Sequence, residues 1–144
     1  MIFFLDTSVL VAGLAQYHPF HARAADWLMR ARDGQLSWAV SAHSLAEVYA
    51  SLTSIPYRPR VSPAMAMEAI NDCLATGANV VSLSAPEYVA VLARMAQLNI
   101  SGGTIYDALI AYAAQKANAD RLLTLNPTHF KRVWPEGADK IAAP

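Results

Sequence analysis

Apolar residues in this chain fall into short continuous runs that alternate with segments of helical period. The chain opens on Met1-Ile2-Phe3-Phe4-Leu5, a run too short for a membrane span, which predicts a buried first strand over Ile2 to Leu5. A helix follows over roughly Ser8 to Ala15. His18-Pro19 then opens a second helix, in which Ala22, Ala25, Leu28 and Met29 recur at helical spacing. Asp33-Gly34 marks a turn, Leu36 to Val40 a second strand, and Ser41 the N-cap of a third helix ending near Ser54. Ile55 to Arg60 is a proline-rich connection. Ser62-Pro63 caps a helix to about Ala75, with proline at its favoured first position. Asn79 to Leu83 is a third strand, and Pro86 starts a helix to about Leu98. Ser101-Gly102-Gly103 is a loop, and Thr104 caps the next helix. Arg121 to Leu125 is a fourth strand, followed by Asn126-Pro127, a turn around His129-Phe130 and a short final strand near Ile141.

The four main strands are apolar throughout rather than alternating, as a sheet covered on both faces requires. Strands that alternate with helices pair in parallel through right-handed crossovers. The expected class is therefore α/β with a mostly parallel central sheet. Parallel strands bring all their carboxyl ends to one edge, the usual ligand crevice of such sheets. Asp6 lies at one of those ends and Asn126 at another. No repeat, low-complexity tract or linker divides the chain, so one domain over 1–144 is expected.

Composition narrows the options. With 55% hydrophobic and 15% charged residues, the chain has little room for disorder. Lys+Arg and Asp+Glu balance at 11 each, so a nucleic-acid partner would need a local basic patch. Cys73 is the only cysteine, which excludes internal disulfides and cysteine-based zinc sites; its apolar neighbours make it a core residue. The chain opens straight into a strand, with no apolar stretch of membrane length, and the expected compartment is the cytoplasm.

The chemistry is carried by acids in apolar surroundings. Asp6 follows the first strand, Glu47 sits in Ser44-Leu45-Ala46-Glu47-Val48, and Asp107 in Thr104-Ile105-Tyr106-Asp107-Ala108-Leu109. Lone carboxylates in apolar segments are expensive to bury. If the three meet, a hard divalent cation is the natural compensation. Capping competes with this reading: Asp6 suits an N-cap, and Thr104-x-x-Asp107 and Ser44-x-x-Glu47 both have the capping-box form. The two roles are compatible, because a helix N-terminus is a rigid platform for a first-turn side chain.

These residues resemble the PIN-domain ribonucleases, in particular the toxin of VapBC-type toxin–antitoxin pairs. The likeness rests on Phe4-Leu5-Asp6-Thr7-Ser8, Ser44-Leu45-Ala46-Glu47-Val48, Gly102-Gly103-Thr104-Ile105-Tyr106-Asp107-Ala108-Leu109-Ile110-Ala111 and Leu123-Thr124-Leu125-Asn126-Pro127-Thr128-His129-Phe130, in that order over essentially the whole chain. It implies a three-layer α/β/α PIN-like fold, Mg2+- or Mn2+-dependent cleavage of single-stranded or loop RNA to a 5′-phosphate and a 3′-hydroxyl, a homodimer and a cognate VapB-type antitoxin. Asp6, Glu47 and Asp107 align with three of the family's acids. The fourth acidic position holds Asn126, which reduces the charge and favours one tightly held ion over two; as an amide, Asn126 can still orient a water or bond a carboxylate. Its other reading is a turn residue before Pro127.

Asp6 and Asp107 are the expected direct metal ligands, with Glu47 binding the ion, directly or through water, or helping to position the nucleophile, and Ser8 and Thr104 as supporting donors. Arg58, Arg60, Lys131 and Arg132 are the candidate phosphate contacts, and Tyr57 and Tyr106 candidate stacking partners for unpaired bases. Trp27, Trp38 and Trp134 read as packing residues. A phosphoaccepting receiver module would also carry an acid after strand one, but it needs a preceding acidic pair and a late lysine, and both are missing here. A catalytically weak PIN-fold binding or scaffold protein is the remaining rival, supported only by Asn126.

Overall fold

The computed structural model describes residues 1–144. Five strands, β1 (Ile2–Leu5), β2 (Ser37–Ser41), β3 (Asn79–Val81), β4 (Arg121–Leu123) and β5 (Ile141–Ala142), form one sheet in the order β3-β2-β1-β4-β5. Every pairing is parallel. The helices are α1 (Thr7–Leu14), α2 (His21–Arg32), α3 (Ala42–Ser54), α4 (Pro63–Ala75), α5 (Ala85–Gln97), α6 (Thr104–Lys116) and α7 (Pro127–Val133), with a 3-10 turn over Pro135–Lys140. None is long and apolar enough to cross a membrane.

The strand pleat explains the unbroken apolar runs. Phe4, Ala39 and Leu122 face one side of the sheet, among Val91, Met95, Ile110 and Phe130 of α5, α6 and α7. Their chain neighbours Leu5, Val40 and Leu123 face the other, among Val9, Leu28, Val48 and Ile70 of α1, α2, α3 and α4. Successive side chains point to opposite faces, and each face is covered by helices, so polar positions have no place along β1. Full burial of a side chain such as Leu or Phe stabilises the fold by roughly 1.5–3 kcal/mol, and Phe4, Leu5 and Leu122 are essentially inaccessible. β1 is the central strand, which places Asp6 in the middle of the carboxyl edge. Cys73, Trp38 and Trp134 are buried as expected, and Trp27 packs against Phe3 with ring centroids 5.0 Å apart.

Several elements differ from the sequence reading. α2 begins at His21, not at His18-Pro19: the His18 ring accepts the Phe20 N–H through Nδ1 at 3.1 Å and holds the segment as a turn. Thr104 is the first helical residue of α6 and not its cap; Gly103 occupies that position without a side-chain bond, so the Thr104–Asp107 capping box does not form. Ser44 lies inside α3, which Ser41 caps by accepting the His43 N–H. β3 and β4 stop two residues earlier than expected, at Val81 and Leu123. The turn around His129-Phe130 is a helix, α7, opened by Pro127. The short strand at Ile141 is present and pairs with β4.

Candidate active site

The carboxyl edge of the sheet and the N-terminal turns beside it enclose a polar cleft of about 260 Å³ into which Asp6, Glu47 and Asp107 all face, along with Asn126, His18 and Ser51. Asp6 arrives from the end of β1, Glu47 from the second turn of α3 and Asp107 from the start of α6. The structure thus brings together the three acids and the asparagine singled out in the sequence.

Asp6 is 4% exposed. Its bonds all end on Oδ2, which accepts from Ser8 Oγ at 2.6 Å, Thr124 Oγ1 at 2.8 Å and the Ser8 N–H at 3.3 Å. The last is the N-cap bond of α1, so the capping and site roles coincide in one side chain. Burial pushes the Asp6 carboxyl above its ordinary range, against the opposing pull of these hydrogen bonds. Ser8 Oγ also accepts the Leu125 N–H at 3.0 Å, and Thr124 Oγ1 accepts the Asn126 N–H at 3.0 Å. The β4–α7 connection is therefore tied to the Asp6 carboxylate through two hydroxyls.

A second hydroxyl link holds Glu47. Thr7 Oγ1 shares its hydrogen between Ser44 Oγ at 2.9 Å and Glu47 Oε1 at 3.1 Å. His43 Nε2 stands 3.4 Å from the same Oε1, and its ring stacks on Tyr106, 5.4 Å between centroids and 7° from parallel. Asp107 is raised to about 6, first by burial, then by the Asp6 charge, with Glu47 adding to it and His129 opposing. His129 Nδ1 lies 3.9 Å from Asp107 Oδ2. No lysine or arginine forms an ion pair with any of the three acids.

Such a donor set suits a hard cation: oxygen ligands, like-charge repulsion and no lysine or arginine paired with the acids. No group of three His, Cys, Asp or Glu side chains is placed to ligate one ion directly. Direct contacts would then fall to fewer than three of the carboxylates that line the cleft. Mg2+ tolerates this arrangement, since it keeps several waters and takes one or two carboxylates.

Other expectations fare differently. Ser8 supports Asp6, whereas the Thr104 side chain makes no hydrogen bond to the site. Asn126 precedes α7 without capping it, which leaves its amide free in the cleft. Arg58, Arg60, Lys131 and Arg132 are exposed, and none lines the cleft. Thr124, Thr7 and Ser44 escaped the sequence reading. Only their position beside the motif acids signals them, and hydroxyls recur throughout the chain.

The chain is a three-layer α/β/α domain with an acidic cleft at the carboxyl edge of a parallel sheet. Residues 3–134 match the family model of the PIN domain, and the chain belongs to that family. It is 35% identical to ribonuclease VapC40 of Mycobacterium tuberculosis over 119 residues, 83% of this chain and 82% of that protein. It is 34% identical to ribonuclease VapC27 of the same organism over 116 residues, 81% of this chain and 79% of that one. Among solved structures it resembles VapBC2 from Rickettsia felis bound to a promoter DNA fragment, with a TM-score of 0.67 at 20% identity over 100% of this chain and 99% of that one. It also resembles PAE2754 from Pyrobaculum aerophilum, with a TM-score of 0.62 at 19% identity over 98% of this chain and 83% of that one. The two structural likenesses show the shared fold.

Proposed function

We propose that this protein is an endoribonuclease dependent on Mg2+ or Mn2+, that it cleaves single-stranded or loop RNA, and that it is the toxin of a VapBC-type toxin–antitoxin pair. The observation that carries the reading is the convergence of Asp6, Glu47 and Asp107 on one cleft that no lysine or arginine lines, in a PIN-family chain 35% identical to a ribonuclease.

Asp6 and Asp107 would hold the ion, which when bound neutralises phosphate charge and lowers the pKa of a coordinated water. Ser8 and Thr124 fix Asp6, so its second oxygen is presented in one orientation. Thr7 fixes Glu47 as a hydrogen-bond acceptor for the attacking water. Asn126 offers both a donor and an acceptor to the same space. Water attacks phosphorus in line, and the 3′-oxygen leaves, giving a 5′-phosphate and a 3′-hydroxyl. RNA is the substrate and a VapB-type antitoxin the partner, with the cytoplasm as the place of action. The chain acts as a homodimer; the mean hydropathy of +0.25 and the exposed Tyr88, Val89 and Leu92 on α5 support a second copy.

The deciding experiment is cleavage of a fluorogenic single-stranded RNA by protein freed of contaminating nuclease. Cleavage should stop in EDTA, return on adding Mg2+ or Mn2+, and fall at least about a hundredfold in Asp6→Asn. Cleavage that survives EDTA, or an Asp6→Asn variant near wild-type turnover, overturns the reading; no cleavage in any metal favours a non-catalytic binding protein.

A further inference from the structure

A phosphodiester is an anion, and the cleft that is to receive it is lined by three carboxylates and by no lysine or arginine. The hydroxyls of Thr7 and Ser8 already donate to Glu47 and Asp6. The lining side chains with an uncommitted donor are those of His18, Ser51 and Asn126. Of these, His18 alone has its donor fixed by a bond elsewhere on the ring. Its Nδ1 accepts the Phe20 N–H at 3.1 Å, which places the imidazole proton on Nε2, at the opposite edge. The Phe20 ring packs on the imidazole with centroids 6.0 Å apart, and Nε2 has no partner in the protein.

We propose that His18 is a substrate-contacting residue of this site: its Nε2–H donates to a non-bridging phosphate oxygen of the RNA strand in the acidic cleft. The inference rests on the ribonuclease reading above. The α1–α2 connection then has a reason to be a turn. Starting α2 at His21 leaves His18 on the cleft wall, with the main chain of its own turn holding the ring. A neutral donor also suits this position, since a lysine or arginine there would pair with the acids and compete for the ion's place.

A bland alternative exists, in which His18 only closes the turn at Phe20. Two carboxamides separate the roles. In His18→Asn, Oδ1 sits as many bonds from Cβ as Nδ1 does, so it can still accept the Phe20 N–H but offers no donor at the Nε2 position. In His18→Gln, Nε2 matches the imidazole Nε2 and keeps the donor, while the Phe20 acceptor is lost. Steady-state cleavage of the fluorogenic single-stranded RNA in Mg2+ should show H18N reduced about tenfold in kcat/KM, mainly through KM, with an unchanged melting temperature. H18Q should stay within about threefold of wild type, even if its melting temperature falls. Wild-type cleavage by H18N, or an H18Q as impaired as H18N, overturns the inference and leaves the ribonuclease reading standing. Wild-type protein that neither binds nor cleaves RNA removes both.

Discussion

Asp107→Asn should make the metal-free protein more stable while it destroys activity. In the native state Asp107 is raised from 3.8 to about 6, by burial first and by the Asp6 charge second, so the folded protein resists its ionised form. At 1.36 kcal/mol per unit, that gap corresponds to roughly 3 kcal/mol. The side chain is 29% exposed, and solvent screening reduces the effect to about 1–2 kcal/mol. For a chain of this length, the melting temperature of D107N in EDTA at pH 7.5 should rise by roughly 3–6 °C. The sign sets the pH window. A carboxyl with a raised native pKa destabilises the fold above that pKa, and the penalty disappears as pH falls from about 6 toward the ordinary value near 3.8. The advantage of D107N should therefore shrink between pH 7 and pH 4. Circular dichroism melts at both ends of that range measure it, and RNA cleavage in Mg2+ should fall at least about a hundredfold. If D107N melts at or below the wild-type temperature in EDTA at pH 7.5, burial and repulsion do not penalise the ionised Asp107 as the geometry implies.

Thr124→Val keeps the shape of the buried side chain but removes the donor to Asp6 Oδ2 and the acceptor of the Asn126 N–H. It should cost about 1–3 kcal/mol in urea unfolding and lower RNA cleavage, with Thr124→Ser restoring most of both. Sedimentation equilibrium at micromolar concentration should give about twice the 15.6 kDa chain mass; a clean monomer contradicts the dimer. A cognate antitoxin should inhibit by placing a basic side chain, best an arginine, between the carboxylates, where bidentate bonds replace the ion. Excess Mg2+ or Mn2+ should then relieve inhibition, and indifference to both metal and the basic residue argues for blockage of RNA elsewhere.

The fold was legible because burial on both faces leaves an unmistakable trace: Phe4-Leu5 and Leu122-Leu123 are apolar in consecutive positions, and no half-exposed strand tolerates that. The acids were legible for the related reason that Asp6, Glu47 and Asp107 interrupt such segments. What sequence could not convey was pairing across the chain. Thr124 reaches Asp6 over a separation of 118 residues, and Thr7 reaches Glu47 over 40, yet neither hydroxyl looks different from others in the sequence. The Thr104–Asp107 spacing misled because a capping box needs its first residue outside the helix, and α6 starts one residue early. Arg58, Arg60, Lys131 and Arg132 stand outside the cleft, whose own hydrogen-bond donors are neutral side chains.

That preference for neutral donors is a physical solution to a conflict within the site. On the proposed metal-dependent reading, carboxylates must be held in one geometry, yet must keep their charge free for a cation that arrives from solution. An arginine would orient them and cancel them together, because its guanidinium always carries a charge. Hydroxyls orient without cancelling: Ser8 and Thr124 converge on Oδ2 of Asp6, Thr7 bonds Oε1 of Glu47, and burial, with the Asp6 charge adding to it, still raises Asp107 to about 6. The strain is tolerable because Asp6 doubles as the cap of α1 and sits on the central strand, where the surrounding core over-determines its position. Asn126 extends the same logic. Its amide adds a neutral donor to a wall that already holds three carboxyl groups.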